Sequence, residues 1–117
     1  MARLGLYAPP LALMGVIFFL SAQPDLSSGL GPWDLYLRKA AHMTEFGLLF
    51  LLWRRALGER ALPAAAIAIA YAATDELHQT FVTGRHGAPV DVLIDATGVA
   101  LAYLLVTRLT ASRARWR

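Results

Sequence analysis

The chain has 117 residues, of which 57% are hydrophobic and only 16% are Asp, Glu, Lys or Arg. An ordinary soluble domain has about 25% charged residues, and a small domain needs them because much of its surface stays in water. The composition therefore argues against a soluble domain and against a disordered chain. The absence of cysteine excludes a disulfide scaffold, a thiolate zinc site and a cysteine nucleophile. The net charge of +3 does not indicate a nucleic-acid partner, because the basic residues stand between apolar runs, as in membrane proteins.

The first apolar run, residues 4–22, predicts a transmembrane helix, since a span needs about 20 mostly apolar residues. A cleavable signal peptide is the alternative. Against it, Pro9 and Pro10 stand where the helical core of a signal should be, and residues 20–22 form a poor small-x-small cleavage site. The sequence therefore favours a retained helix.

Three further spans are predicted, at residues 34–57, 62–81 and 90–109. Segments rich in Gly, Pro and Ser separate the first span from the second and the third from the fourth. The third span has an alanine-rich middle, residues 64–73, which allows neighbouring backbones to approach closely. The fold class is therefore all-α, and residues 1–117 form one domain, a four-helix transmembrane bundle.

The basic residues are divided unequally between the two ends of such a bundle. With the amino terminus inside, the cytoplasmic set is Arg3, Arg54, Arg55, Arg60, Arg108, Arg113, Arg115 and Arg117, and the outer set is Arg38, Lys39 and Arg85. Because cytoplasmic loops carry the excess of Lys and Arg, we expect both termini in the cytoplasm and a multi-pass protein of the bacterial plasma (inner) membrane.

Other ionisable residues of the spans are concentrated at the outer ends. Inserting one such residue at the centre of a bilayer costs about 2.5–3.5 kcal/mol on insertion scales. Ionisable residues within a membrane span therefore indicate a functional or structural role. They are Lys39, His42 and Glu45 on the second helix, Asp75, Glu76 and His78 on the third, and Asp91 and Asp95 on the fourth, and the polar Gln79 lies beside those of the third. Positions three or four apart share a helix face, so we expect these stripes to face one another across an outward-opening pocket. Gly98, on the Asp91–Asp95 face, would permit a close helix approach.

The pocket has three possible chemistries. The second and fourth helices both begin on the outer side, so their positive ends, with Lys39 and Arg85, favour an anion such as a phosphate or carboxylate. The acids and His42 could instead bind a hard or borderline metal or serve in acid–base catalysis, although a lone histidine on a polar helix face is more often structural. The charged pairs could also simply join the helices. Cofactor and metal identity stay open.

Four segments resemble the VanZ-like family of small bacterial membrane proteins. They are FLSAQP at 19–24, KAAHMTEF at 39–46, DELHQTFVTGR at 75–85 and DVLIDATG at 91–98. The similarity covers about residues 18–105, and the combined pattern is specific although each piece is not. Asp95 is a departure, since many members have Asn there.

The resemblance implies functional importance for the family's recurring polar positions. These correspond to Lys39, His42, Asp75, Glu76, Gln79, Arg85 and Asp91. The family is named for an accessory protein of glycopeptide resistance clusters, which implies a link to the cell envelope and to teicoplanin tolerance.

Three functions follow as hypotheses. The first is a membrane-embedded hydrolase or transferase of the outer leaflet that acts on a lipid-linked or phosphate-bearing envelope substrate. Its candidate catalytic residues are Glu76, Asp91, Asp75 and His42, and its candidate binding residues are Lys39, Arg85, Gln79, Asp95 and Glu45. The second is a non-catalytic module that binds an anionic headgroup. The third is a structural protein that contacts a partner through residues 64–73; the oligomeric state stays open.

Overall fold

The computed structural model of the protein describes residues 2–21, 33–81 and 89–115, and all regular structure within them is α-helical. The helices are α1 (Ala2–Ser21), α2 (Trp33–Ala56), α3 (Ala61–Gln79) and α4 (Pro89–Arg115). The described part is therefore all-α, as the sequence predicts. Each predicted span corresponds to one helix, and the main difference is that α4 continues beyond residue 109. Its last residues contain Ala and Arg and no Gly or Pro, so nothing in that segment ends a helix.

A tight turn reverses the chain between α2 and α3. Gly58 has φ 70° and Glu59 φ 69°, both in the left-handed region that ends helices. The Glu59 amide donates a hydrogen bond to the Arg54 carbonyl oxygen over 2.7 Å. Because so few residues connect them, α2 and α3 are antiparallel neighbours.

The helices alternate in direction along the chain. The Tyr71 hydroxyl donates to the Met14 carbonyl oxygen over 2.6 Å, and further along both helices Ser21 contacts Asp75. α1 and α3 are therefore parallel to each other. The carboxyl ends of these two helices lie together, and we call this end of the bundle the polar end because of the side chains described below.

α2 and α4 are also parallel, and both begin at the polar end. Gly47 and Gly98 permit their close contact: a β-carbon added at Gly98 would stand 2.8 Å from the Met43 α-carbon, and one added at Gly47 would stand 3.1 Å from the Gly98 carbonyl oxygen. The close approach predicted at Gly98 is therefore confirmed, whereas the part played by Gly47 was not predicted.

The apolar core lies between the helices below the polar end. α3 contributes Ala64, Ala68 and Ala72, which are fully buried at intervals of four residues. They pack with larger side chains of the other helices, namely Ile17, Phe46, Leu49, Phe50 and Val99. These three alanines are thus part of the bundle's own core, and only the remaining positions of residues 64–73 can face a partner.

Two described helices are long and apolar enough to cross a membrane, at Arg3–Ser21 and Val90–Ala111. Both segments are mostly uncovered, with only 17% and 22% of their residues buried, so neither is the central helix of a soluble core. α2 and α3 are not among these candidates, and both contain ionisable residues, which lower their mean hydropathy. The four-span arrangement and the position of the termini therefore stay predictions.

Candidate functional site

Polar side chains from all four helices meet at the polar end. α1 and α3 end there, and α2 and α4 begin there, so the last turns of one pair lie beside the first turns of the other. We call this group the polar cluster; its members are Ser21, Lys39, His42, Asp75, Gln79, Asp91 and Asp95. Ser21, Asp75, Gln79 and Asp95 are each at most 4% exposed. Buried polar groups at this density need partners, and the contacts among them define the site.

Asp75 is held from two sides. The Ser21 hydroxyl at the end of α1 donates a hydrogen bond to Asp75 Oδ1. The Gln79 amide, one turn further along α3, donates to Asp75 Oδ2 over 3.2 Å and to Ser21 Oγ over 3.3 Å. Both carboxylate oxygens therefore have a donor, which orients Asp75 within the bundle.

His42 and Asp95 face each other between α2 and α4. His42 Nδ1 lies 3.2 Å from Asp95 Oδ1, and the Asp95 side chain is only 2% exposed. Despite this distance, the two atoms do not meet hydrogen-bond geometry, and both are buried without a hydrogen-bond partner among the described residues. One ligand atom from each of His42, Asp95 and Asp75 lies within 4.8 Å of the other two.

Lys39 and Asp91 form an ion pair one turn closer to the end of the bundle. Lys39 Nζ lies 2.5 Å from Asp91 Oδ1, and the side chains are 34% and 19% exposed. The pair is partly buried, and because ion pairs that solvent can reach contribute only about 0–1 kcal/mol, an incoming anion can compete with Asp91 for the ammonium group.

The other residues predicted for the site are not members of the polar cluster. Glu76 is buried on α3 next to Asp75, and Glu45 is half-buried on α2 one turn after His42; each makes a further contact. His78, which the spacing placed on the Asp75 face, stacks instead on the α1 ring of Phe18, with ring centroids 4.4 Å apart. Arg85 lies outside the described residues.

Ser21 is the site residue that the sequence did not single out. It lies in the last turn of the first apolar run, where a single hydroxyl is easily assigned to the helix end or to a loop. Its burial at 2% and its contact with Asp75 become visible only when α1 and α3 are seen to be parallel neighbours.

The opposite end of the bundle has a different character. Arg54 pairs with Glu59 at 3.3 Å, and Arg55 donates to the Gly5 carbonyl oxygen over 3.3 Å. These groups are at the surface and carry a basic excess. The buried acids of the described chain are therefore confined to the polar end.

An apolar groove follows the contact between α2 and α4 on another face. It has a volume of about 530 Å³. Its lining residues are Ala40, Met43, Thr44, Gly47, Leu48, Leu51, Gly98, Leu101 and Ala102. None of them is ionisable, so the groove suits a hydrocarbon chain and not a polar ligand.

The fold and the site together define a small helical protein with two membrane-span candidates and a buried polar cluster at one end. The sequence matches the VanZ/LLP1 family over residues 6–110, and the chain belongs to this family. No curated protein and no solved structure matches the chain significantly.

Proposed function

We propose that the protein is a four-span bundle of the bacterial plasma membrane, and that its polar cluster binds the phosphate-bearing headgroup of a lipid-linked envelope substrate at the outer leaflet. The observation that carries this proposal is the meeting of buried acids from α3 and α4 with the partly buried Lys39 and His42 of α2, and with Ser21 of α1, at one end of the bundle. Intramembrane ionisable residues are expensive and usually mark a functional site.

Exposed hydrophobic side chains support placing all four helices in lipid. They occur on α2 and α3 as well as on the two helices with span-like composition; examples are Leu48, Leu62, Ile69 and Leu77. Exposing apolar area to water costs about 25 cal/mol per Å². Lys39 and His42 of α2 and Asp75 of α3 face the polar cluster, and Arg54 and Arg55 lie at the opposite end of α2. This distribution would let the two helices lie in a membrane despite their composition.

Orientation is supported by the basic end of the bundle. Arg54, Arg55 and Arg60 are at or near the α2–α3 turn, far along the chain from Lys39. Basic residues stay preferentially in the cytoplasm, which directs the polar cluster to the outer leaflet.

An anionic headgroup is favoured by the groups at the polar end. The amino termini of α2 and α4 carry partial positive charge there, and the half-exposed Lys39 can exchange Asp91 for a ligand. Arg85, which lies outside the described residues, is the second cationic candidate that the sequence offers. The hydrocarbon chain of the substrate would lie in the apolar groove between α2 and α4.

The test compares a polyprenyl phosphate with the matching polyprenol, which lacks only the phosphate. The protein is purified in nanodiscs of phosphatidylcholine, and binding of each lipid is followed by tryptophan fluorescence in the presence of EDTA. We expect tighter binding of the phosphate form, loss of this preference in Lys39→Met, and weaker binding of both lipids in the groove variant Thr44→Trp. Equal affinity of the wild type for the two lipids would refute headgroup recognition.

A second candidate function is hydrolysis or group transfer at that headgroup, favoured by the His42–Asp95 pair. A carboxylate that faces one imidazole nitrogen leaves the other free for proton transfer, and His42 is 23% exposed. Release of inorganic phosphate from a polyprenyl diphosphate would be measured for the wild type and for His42→Gln. If the wild type releases no phosphate, or if His42→Gln releases it at the same rate, catalysis by His42 is refuted and headgroup binding stays as the proposed function.

Binding of an envelope precursor would also alter its availability to glycopeptide antibiotics. The minimum inhibitory concentration of teicoplanin in a bacterial host expressing the chain tests this consequence. We expect the strain with the wild-type protein to tolerate teicoplanin and the strain with Lys39→Met, at the same membrane level, not to tolerate it. If both strains are as sensitive as the host without the protein, the link to teicoplanin tolerance is contradicted.

A further inference from the structure

We propose that His42, Asp75 and Asp95 bind a divalent transition-metal ion, with Zn²⁺ or Mn²⁺ as the chemistry that fits. The metal site uses the imidazole and two of the carboxylates of the polar cluster, whereas the groups that favour an anion are Lys39 and the amino termini of α2 and α4. It would stand even if the protein bound no lipid phosphate.

The distances are those of a coordination site. Two ligand atoms that are each 2.0–2.1 Å from a tetrahedral Zn²⁺ lie about 3.3 Å apart. His42 Nδ1 and Asp95 Oδ1 are 3.2 Å apart. One carboxylate oxygen of Asp75 lies within 4.8 Å of a ligand atom of each of the other two residues, and this third distance must shorten when an ion binds.

The orientation of the His42–Asp95 pair is the second, independent observation. Without an ion, two buried atoms at this distance should share a proton along the line between them. Their geometry instead fails as a hydrogen bond, although Asp95 is 98% buried and neither atom has another hydrogen-bond partner among the described residues. A metal held by both atoms lies to one side of that line, so the ring nitrogen must point beside the oxygen and not at it. The unmet hydrogen bond between these two atoms is consistent with such an arrangement.

The surroundings are also those of a metal site. Ligating carboxylates are usually held by outer hydrogen bonds, and Ser21 and Gln79 donate to the two oxygens of Asp75. A neutral imidazole with two carboxylates has a charge of −2, which a divalent cation balances in a buried place. The neighbouring Asp91 already has Lys39 as its counter-ion, so it is not needed for this balance.

The ligand set selects the kind of ion. Imidazole suits Zn²⁺ and other transition metals, and carboxylates suit Mn²⁺ as well. Ca²⁺ takes six to eight oxygen ligands, which three side chains with one nitrogen do not supply. Three protein ligands leave at least one position open, as in catalytic zinc sites, and a water or a phosphate oxygen can enter there.

The full chain, purified in detergent and stripped with EDTA, provides the test. After removal of the chelator, Zn²⁺ and Mn²⁺ are titrated by calorimetry in buffer without phosphate or added lipid. We expect one ion per chain for one or both metals. Asp95→Asn and His42→Gln should weaken binding by more than the roughly 10–100-fold that follows loss of an outer hydrogen bond, and Ser21→Ala should fall within that range.

Asp91→Asn is the matched control, because it removes a carboxylate from the same helix one turn away. It should bind the ion as the wild type does. No saturable binding by the folded wild type, or an equal loss in Asp91→Asn, overturns the assignment. If Asp95→Asn does not fold by circular dichroism, the visible absorption of Co²⁺ added to the wild type and to His42→Gln decides. A wild-type spectrum that differs from that of aqueous Co²⁺ and is lost in His42→Gln supports the site, and a spectrum that is identical in the two proteins overturns it.

The two proposals fail in different ways. The lipid experiment is made in EDTA and compares the affinities for polyprenyl phosphate and polyprenol. The metal titration contains no lipid phosphate and measures the number of ions bound per chain.

Discussion

Gly98 of α4 lies directly against the backbone of Met43 in α2, so closely that a β-carbon on Gly98 would stand 2.8 Å from the Met43 α-carbon and closer still to the Met43 carbonyl oxygen. Such a contact cannot be relieved by rotating a side chain. Because Gly98 has no side chain, α2 and α4 can approach this closely. The same contact sets the distance between the residues of the polar cluster on these two helices.

Gly98→Ala should accordingly destabilise the bundle. Overpacking of a close contact usually costs about 1–3 kcal/mol, and a backbone neighbour puts this case at the upper end. The melting temperature in detergent, followed by circular dichroism, should fall clearly below that of the wild type.

The control for this variant is Gly15→Ala in α1. A β-carbon at Gly15 meets nothing within 4 Å, and Ala is favoured over Gly by about 0.5–1 kcal/mol in a helix. Gly15→Ala should therefore keep or raise the melting temperature. An equally small change in both variants would contradict the importance of the close contact.

Helix positions and polar faces could be predicted because apolar length and three-or-four spacing are local properties. The spacing placed His42 with Lys39, and Asp95 with Asp91, on single helix faces, and it indicated that Gly98 permits close packing. Which face meets which is decided by long-range packing, which no local pattern encodes. For that reason the His42–Asp95 and Lys39–Asp91 pairings were not predictable individually.

Ser21 is a second example of a residue whose role local sequence patterns do not predict. A single hydroxyl at the end of an apolar run has no periodic signal of its own. Its importance comes from Asp75, which is 54 residues away in the chain and is brought near because α1 and α3 are parallel.

Ser21→Ala should destabilise the protein by about 1–3 kcal/mol, since it leaves a buried carboxylate oxygen without its donor. Thermal unfolding in detergent measures the loss. Thr74→Ala is the matched control, because the Thr74 hydroxyl is exposed and donates to the Ala70 carbonyl oxygen of its own helix; its effect should stay within about 0.5 kcal/mol. Equal melting temperatures for Ser21→Ala and the wild type would contradict a stabilising role of the Ser21 hydroxyl.

Lys39 and Asp91 should show a small, favourable coupling. A double-mutant cycle with Lys39→Met and Asp91→Asn should give about 0.3–1 kcal/mol, the range for partly exposed pairs, and the coupling should fall as salt concentration rises. Arg54 and Glu59 provide the comparison: Glu59 is 74% exposed and the atoms are 3.3 Å apart, so their coupling should be close to zero. A larger coupling for the Arg54 pair than for the Lys39 pair would contradict the assignment of Lys39 to a partly buried site.

The orientation of the bundle gives the last prediction. The α2–α3 turn carries Gly58 between Arg55 and Arg60, and basic residues of short loops stay in the cytoplasm. A reporter enzyme that is active only outside the cytoplasm should therefore be inactive when fused after Gly58 and active when fused after Gly87, which lies outside the described residues. The opposite pattern would place the polar cluster at the inner leaflet and replace the envelope substrate with a cytoplasmic one. Equal activity at the two positions would mean that α3 does not cross the membrane, and the four-span proposal would then be wrong. Membrane levels of both fusions, measured by immunoblot, ensure that low activity reflects location and not loss of protein.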